Sequence, residues 1–157
     1  MSHSLTKIWI HAVFGTKNGE PIIVSQISDD LFYHIKKHLE DDFDCVVRII
    51  NGIADHVHIL FLLNANYAIK DILKNIKGES SHWINQKDIL KVKFAWQVGY
   101  GAFSVSESNV NTVERYIANQ KEHHRKRTFL EEYEEFMDKH GLNYLAETVQ
   151  TVSDDAD

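Results

Sequence analysis

The chain has 157 residues, enough to bury the core of one domain, and its hydrophobic content of 43% is ordinary for a globular protein. It has no run of about 18 apolar residues, so we expect no membrane span. The N-terminal sequence lacks the pattern of a signal peptide, so we expect a cytoplasmic protein. A single cysteine excludes an intramolecular disulfide.

The charges are distributed unevenly along the chain. The net charge is −6, but residues 131–157 contain nine acidic residues and one basic residue. Residues 1–130 therefore have a net charge of +2, which is compatible with a phosphate-containing partner without requiring one. We expect residues 1–145 to form a single domain and residues 146–157 to form a flexible acidic tail.

Strands and helices alternate in the predicted secondary structure. The β-branched and aromatic residues of 5–16 predict a strand, and the apolar spacing of 25–42 predicts a helix. Two further strands are predicted at 43–53 and 57–63, joined at Asn51-Gly52, which is a typical hairpin sequence. The remaining predicted elements are a helix at 66–87, an extended segment at 93–106, and helices at 109–126 and 129–141.

This order of elements indicates the fold class. A strand-helix-strand-strand-helix-strand series is typical of the ferredoxin-like, split βαβ arrangement. We therefore expect an α+β fold in which an antiparallel sheet has helices on one face, with additional C-terminal helices.

Two histidines lie two residues apart in the apolar run ADHVHILF, residues 54–61. Because side chains alternate along a strand, His56 and His58 face the same side, where two imidazoles can share a divalent cation. Asp55 could accept a hydrogen bond from a ring nitrogen and orient it. Packed core histidines would give the same pattern, so the motif alone leaves the choice open.

The helix predicted at 109–126 could supply the rest of such a site. Tyr116 and Gln120 are four residues apart and therefore share one helix face, together with His124. A tyrosine hydroxyl can attack a phosphodiester and hold it covalently, and a divalent cation can polarise the phosphate. Gln120 could be a neutral oxygen ligand, and His124 could contact the metal or orient a ligand. Core packing would also explain a tyrosine here.

Four short motifs together resemble a known family. They are DHVH at 55–58, KGESS at 77–81, a W-x-x-GY segment at 96–100 and ERYIANQ at 114–120. In this order they look like the single-tyrosine HUH transposases of small insertion sequences, and the resemblance extends over about residues 5–145.

The resemblance implies a site and an activity. It makes His56, His58 and Gln120 the ligands of Mg2+ or Mn2+, and Tyr116 the nucleophile. It implies cutting and rejoining of single-stranded DNA at hairpin-marked element ends, by a homodimer whose subunits share their active sites. Two alternatives stay open: a catalytically inactive relative that binds nucleic-acid hairpins, and a metallophosphoesterase that activates water and needs no tyrosine.

Two clusters of basic residues could contact DNA. Such contacts would hold the phosphate backbone without specifying a sequence, although solvated helix faces give the same pattern. The clusters are Lys70, Lys74 and Lys77 in the helix predicted at 66–87, and Arg125, Lys126 and Arg127 after the tyrosine helix.

Overall fold

The computed structural model of the chain describes residues 3–125 and 127–140. Within these ranges the elements are β1 (Trp9–Gly15), α1 (Ser25–Phe43), β2 (Val46–Ile53), β3 (His56–Leu62), α2 (Ile69–Gln86), β4 (Gly101–Val105), α3 (Val110–Ala118), α4 (Gln120–His123) and α5 (Phe129–Lys139). The strands form one antiparallel sheet in the order β2-β3-β1-β4. The predicted ferredoxin-like α+β fold is confirmed, whereas the predicted tail at 146–157 lies outside the described residues.

The two faces of the sheet are covered by different helices. On one face, Ile59 and Phe61 of β3 lie in the main hydrophobic core together with the apolar sides of α1 and α2. On the other face, Leu60 packs against Ile117 of α3 in a second, smaller cluster. Since alternate residues share a face, His58 also points to the side of α3. No helix in the described part of the chain is both long and apolar enough to cross a membrane.

The hairpin between β2 and β3 turns later than predicted. Asn51 and Gly52 are both paired within the ladder, and the turn falls at residues 54–55. At Gly52 the neighbouring strand comes so close that a Cβ atom would lie 2.2 Å from the carbonyl oxygen of His56. The prediction of a turn at 51–52 is therefore wrong. A glycine is needed at position 52 because the neighbouring strand leaves no room for a Cβ atom, and not because the chain turns there.

The predicted tyrosine helix is broken at Asn119, where φ is −100° and ψ is 27°. The side-chain amide of Asn51 on β2 donates hydrogen bonds to the carbonyl oxygens of Ile117 at 3.0 Å and Ala118 at 3.3 Å. In a continuous helix these carbonyls would accept from amides one turn further along. A side chain from the sheet thus takes the place of the next helical turn, and α3 ends there.

Candidate metal and nucleophile site

His56 and His58 are fully buried in β3, with ring centroids 5.1 Å apart. The Nδ1 atom of each ring has a polar partner: that of His56 lies 2.7 Å from Asp55 Oδ1, and that of His58 lies 2.8 Å from His11 Nε2. Such partners fix the orientation of an imidazole and leave the other nitrogen for a ligand. His11 is a buried partner that the sequence analysis did not identify.

Both Nε2 atoms face one carboxylate, that of Glu132 on α5, which is 1% exposed. Its Oε1 lies 2.9 Å from His58 Nε2 and 3.2 Å from His56 Nε2. Its Oε2 accepts a hydrogen bond from the Tyr116 hydroxyl and lies 3.2 Å from His124 Nε2. Glu132 is therefore the residue at which the histidines and the tyrosine meet.

Glu132 was not predicted as a site residue, because it is one of nine acidic residues in 131–157. Helical spacing carried the signal, since Phe129, Glu132 and Phe136 lie three and four residues apart and share one face of α5. In the structure Phe129 stacks on the His56 ring at 4.1 Å, and Phe136 packs near His58. An acidic residue on the same helix face as two aromatic residues indicates a carboxylate on the side of the helix that packs against the rest of the chain.

Gln120 and His124 complete the surroundings of the two strand histidines. Gln120 is fully buried, and its Oε1 lies 3.3 Å from His56 Nε2. His124 Nδ1 lies 3.0 Å from the carbonyl oxygen of Arg127, which turns Nε2 towards Glu132. This Nε2 atom is buried and makes no hydrogen bond. Suitable ligand atoms of His56, His58, His124 and Glu132 all lie within 4.8 Å of one another, so this group could hold a metal ion.

Burial and charge pairing act together on the ionisation of the site. Burial lowers the pKa of His58 to about 4, so this imidazole is neutral at pH 7. Burial also lowers the pKa of His56, but hydrogen bonds to Asp55 and Glu132 outweigh it and the net shift is upward. Burial raises the pKa of Glu132, but hydrogen bonds to the two strand histidines outweigh it and hold the pKa below its usual range. An ionised carboxylate beside neutral imidazole nitrogen suits a cation.

Tyr116 lies beside the histidines of its own chain. Its ring centroid is 6.0 Å from that of His58, and its other side stacks on His123 at 4.4 Å. Burial, followed by the neighbouring Glu132, raises the pKa of the hydroxyl, which therefore stays protonated in this arrangement. A cavity of about 410 Å³ lies beside the ring, with Phe103 in its wall. The resemblance implies that the tyrosine and the histidines of one site come from different subunits; within a single chain, Tyr116 already lies beside His58.

The predicted basic clusters are separated by the sheet. The cluster of Lys70, Lys74 and Lys77 is on α2, whose apolar side packs on the face opposite to Tyr116. Lys77 donates to the carbonyl oxygen of Gly99 at 2.8 Å, so part of this stripe has a structural role.

The second basic cluster is closer to the site. Arg125 pairs with Glu122 at 2.9 Å, and Arg127 pairs with Glu135 of α5. The side chain of Lys126 lies outside the described residues. The paired arginines thus flank the turn that leads from α4 to α5.

The chain is similar to a known protein family and to solved structures. Residues 4–120 match the family model described as IS200-like transposase. The chain is similar to the crystal structure of a candidate transposase from Deinococcus radiodurans R1, with a TM-score of 0.61, 23% identity, and coverage of 76% of this chain and 95% of that one. It is also similar to a REP-associated tyrosine transposase bound to a REP hairpin, with a TM-score of 0.58, 15% identity, and coverage of 79% and 74%. No curated protein matches the sequence.

The family match and the solved structures support different conclusions. At these identities the two solved structures show that the fold is shared. The family match covers most of the chain but ends at residue 120, so it includes both strand histidines and Tyr116 and stops before His124 and Glu132. Of these two, His124 was already a candidate from the sequence, whereas Glu132 becomes apparent only in the structure.

Proposed function

The chain belongs to the family of IS200-like transposases, and we propose that it cuts and rejoins single-stranded DNA through a covalent phosphotyrosine intermediate. The observation that carries the proposal is the position of Tyr116, whose hydroxyl shares a carboxylate with two buried histidines. Membership of the family makes the protein a DNA-processing enzyme. The nucleophile, the metal and the form of the DNA are our proposals.

The metal in this proposal is Mg2+ or Mn2+, held by His56, His58 and Gln120. The residues fit such an ion because both imidazoles have their Nδ1 atoms occupied and the Gln120 oxygen lies 3.3 Å from His56 Nε2. When bound, the cation polarises the scissile phosphate as a Lewis acid. Asp55 orients His56 from the outer side of the ring, as its 2.7 Å contact supports.

Tyr116 performs the bond exchange. Its oxygen forms a bond to phosphorus while the bond from phosphorus to one sugar oxygen breaks, and that sugar oxygen leaves with a proton. The tyrosine hydroxyl loses its own proton in the same step. Attack by a free sugar hydroxyl on the phosphotyrosine reverses the exchange, so a strand is rejoined without an external energy source. The cavity beside the Tyr116 ring gives the strand access to the oxygen.

The DNA partner in this proposal is a single strand with hairpin ends. The REP-associated relative was solved with a hairpin, which supports this class of ligand. The basic residues of both clusters are proposed to contact phosphates: Lys70, Lys74, Lys77, Arg125, Lys126 and Arg127. Because the sheet separates the two clusters, the lysines would hold a duplex stem while the arginines hold the strand near Tyr116. The homodimer implied by the resemblance stays a prediction.

The test is the capture of a covalent adduct. Purified protein is incubated with Mn2+ or Mg2+ and labelled hairpin oligonucleotides with randomised single-stranded flanks, and DNA that stays attached after denaturation is measured. We expect wild type and Tyr33→Phe to form the adduct and Tyr116→Phe to form none. Tyr33 is a suitable control because it is an exposed tyrosine on α1.

The other outcomes separate the alternatives. Cleaved DNA with free ends and no adduct would replace the proposal with the metallophosphoesterase. Retained hairpin binding without cleavage under any divalent cation would replace it with the inactive hairpin-binding relative. An undiminished adduct in Tyr116→Phe would show that another residue is the nucleophile.

A further inference from the structure

We infer that Glu132 of α5 is a ligand of the divalent metal and that the same carboxylate positions the hydroxyl of Tyr116. The inference rests on the proposed metal-dependent function and adds to it a ligand from outside residues 4–120, the segment that matches the family model. It gives α5 a direct part in the site.

The spacing of the polar atoms around Glu132 is that of a metal site. Two ligand atoms that each lie about 2.0–2.2 Å from one cation, at an angle of about 90–110°, are about 2.8–3.6 Å apart. The distances from Glu132 Oε1 to His58 Nε2 and His56 Nε2 are 2.9 and 3.2 Å, and that from Oε2 to His124 Nε2 is 3.2 Å. The side chains of Glu132 and the three histidines would therefore need to move little to bind one cation.

The orientation of the three histidines supports the same conclusion. Each has its Nδ1 atom next to a partner outside the cluster: Asp55 for His56, His11 for His58, and the Arg127 carbonyl for His124. All three rings therefore present Nε2 to the same small volume. A set of imidazoles held from behind and converging on one point is the arrangement that metal sites use.

A buried ion network without a metal is the competing explanation. In such a network each Nε2 would donate a hydrogen bond to the carboxylate, which has room for several. His124 Nε2 does not do so, although it is buried and lies 3.2 Å from Glu132 Oε2. A buried polar atom left without a hydrogen bond costs about 1–3 kcal/mol, and coordination to a cation would remove that cost. A buried nitrogen that lies beside a carboxylate but makes no hydrogen bond favours the metal site.

The carboxylate also joins the ligand set to the nucleophile. Oε1 faces the two strand histidines, while Oε2 accepts the hydrogen bond of the Tyr116 hydroxyl. Glu132 lies on α5 and Tyr116 lies on α3, so this bond fixes the tyrosine oxygen relative to the metal ligands across two helices. Positioning of this kind is needed wherever a nucleophile must meet a polarised phosphate.

The test measures metal binding directly. Metal-free full-length protein is titrated with Mn2+, and the free ion is followed by electron paramagnetic resonance. We expect Glu132→Gln to weaken Mn2+ binding more than about 100-fold relative to wild type, since the loss of an outer partner alone costs about 10–100-fold. Glu134→Gln is the matched control, because Glu134 is exposed on the same helix and loses the same charge. Equal affinity of the two variants would overturn the inference.

A second measurement covers the case in which Glu132→Gln does not fold. A crystal structure of wild-type protein with Mn2+ should place a Glu132 oxygen within about 2.0–2.3 Å of the ion. An ion bound by His56 and His58 with Glu132 beyond that distance would overturn the inference. Failure of the proposed function looks different: wild-type protein would bind Mn2+ through Glu132 and yet form no Tyr116 adduct with any DNA.

Discussion

Asn51 lies directly opposite His58 in the β2–β3 ladder, and its side chain holds the end of the helix that carries Tyr116. One residue thereby links the strand that carries His56 and His58 to the helix that carries Tyr116. The link is a pair of hydrogen bonds to main-chain carbonyl groups, so it fixes where the helix ends as well as where it lies.

Replacing Asn51 by alanine tests this link. Asn51→Ala should lower the free energy of unfolding by about 1–2 kcal/mol, because two carbonyl oxygens at the end of α3 lose their donor. It should also slow adduct formation, because Tyr116 is no longer held. Chemical denaturation and the rate of adduct formation measure the two effects. Asn75→Ala is the control, since that amide donates to a carbonyl on the exposed side of α2. Equal effects of both replacements would contradict the prediction.

Mixing two inactive variants shows which chain supplies the tyrosine. Tyr116→Phe and His58→Ala should each fail to form an adduct, and their mixture should also fail, because one chain holds both parts of the site. A dimer that shares its sites would behave differently, since the Tyr116 of one variant would then work with the His58 of the other. Appearance of the adduct on the His58→Ala chain would establish that arrangement. The mass in solution shows whether a dimer exists at all.

Two glycine replacements should have opposite effects on stability. Gly52→Ala would place a Cβ atom 2.2 Å from the main chain at His56, so we expect a loss of about 1–3 kcal/mol or more and weaker Mn2+ binding. Gly78 lies inside α2 with nothing within 4 Å of such an atom, so Gly78→Ala should gain about 0.5–1 kcal/mol. Urea denaturation measures both. A tolerated Gly52→Ala would show that the two strands can separate near the histidine motif.

The stability of the metal-free protein should fall as the pH decreases from about 6.5 towards 4.5. The folded pKa of His58 is about 4 because of burial, and that of His11 is also lowered by burial. Below pH 6.5 the unfolded chain binds protons at these residues that the folded chain does not, which favours unfolding. His56 opposes the trend, since its pKa is raised. The stabilisation from Glu132, whose pKa is lowered, is lost only below about pH 4.5.

Urea unfolding at pH 7 and pH 5 measures this decrease. Protonation of His58 in the unfolded chain should by itself lower the free energy of unfolding by about 2 kcal/mol at pH 5. This value follows from the difference between the folded and unfolded pKa of His58. His11→Gln, which removes one of the titrating groups, should show a smaller difference between the two pH values. A stability that rises towards pH 5 would mean that His56 dominates.

The sequence predicted the elements that depend on local spacing. Alternation along β3 correctly placed His56 and His58 on one face. Helical spacing predicted Tyr116 and Gln120 on one face of a single helix, but the structure puts them in α3 and α4, on either side of the break at Asn119. The ferredoxin-like order of strands followed from the same periodicities. The strand pattern is local and stays intact in the folded chain, whereas the contact from Asn51 divides the predicted tyrosine helix.

The features that the sequence did not predict depend on contacts between segments that are distant along the chain. The prediction of a turn at Asn51-Gly52 was wrong. Asn51 lies in the strand, and its side-chain amide donates a hydrogen bond to the carbonyl oxygen of Ile117 in α3, more than 60 residues away. In the sequence Glu132 is one acidic residue among many, and its role depends on the packing of α5 against the side of the sheet that carries His56 and His58. His11 is hydrogen-bonded to His58 from a neighbouring strand, and nothing in the residues beside it indicates that bond.

The family match stops at residue 120, and the acidic C-terminal region looks dispensable from its composition alone. A truncated gene designed on either basis would delete α5 and with it the group that faces both histidines and the tyrosine. The shortened product would expose two buried imidazoles and an unsupported phenol to solvent. Loss of activity in such a truncation would then be misread as a requirement for a separate DNA-binding segment, although the deleted helix carries Glu132, which contacts both histidines and Tyr116 of the candidate site.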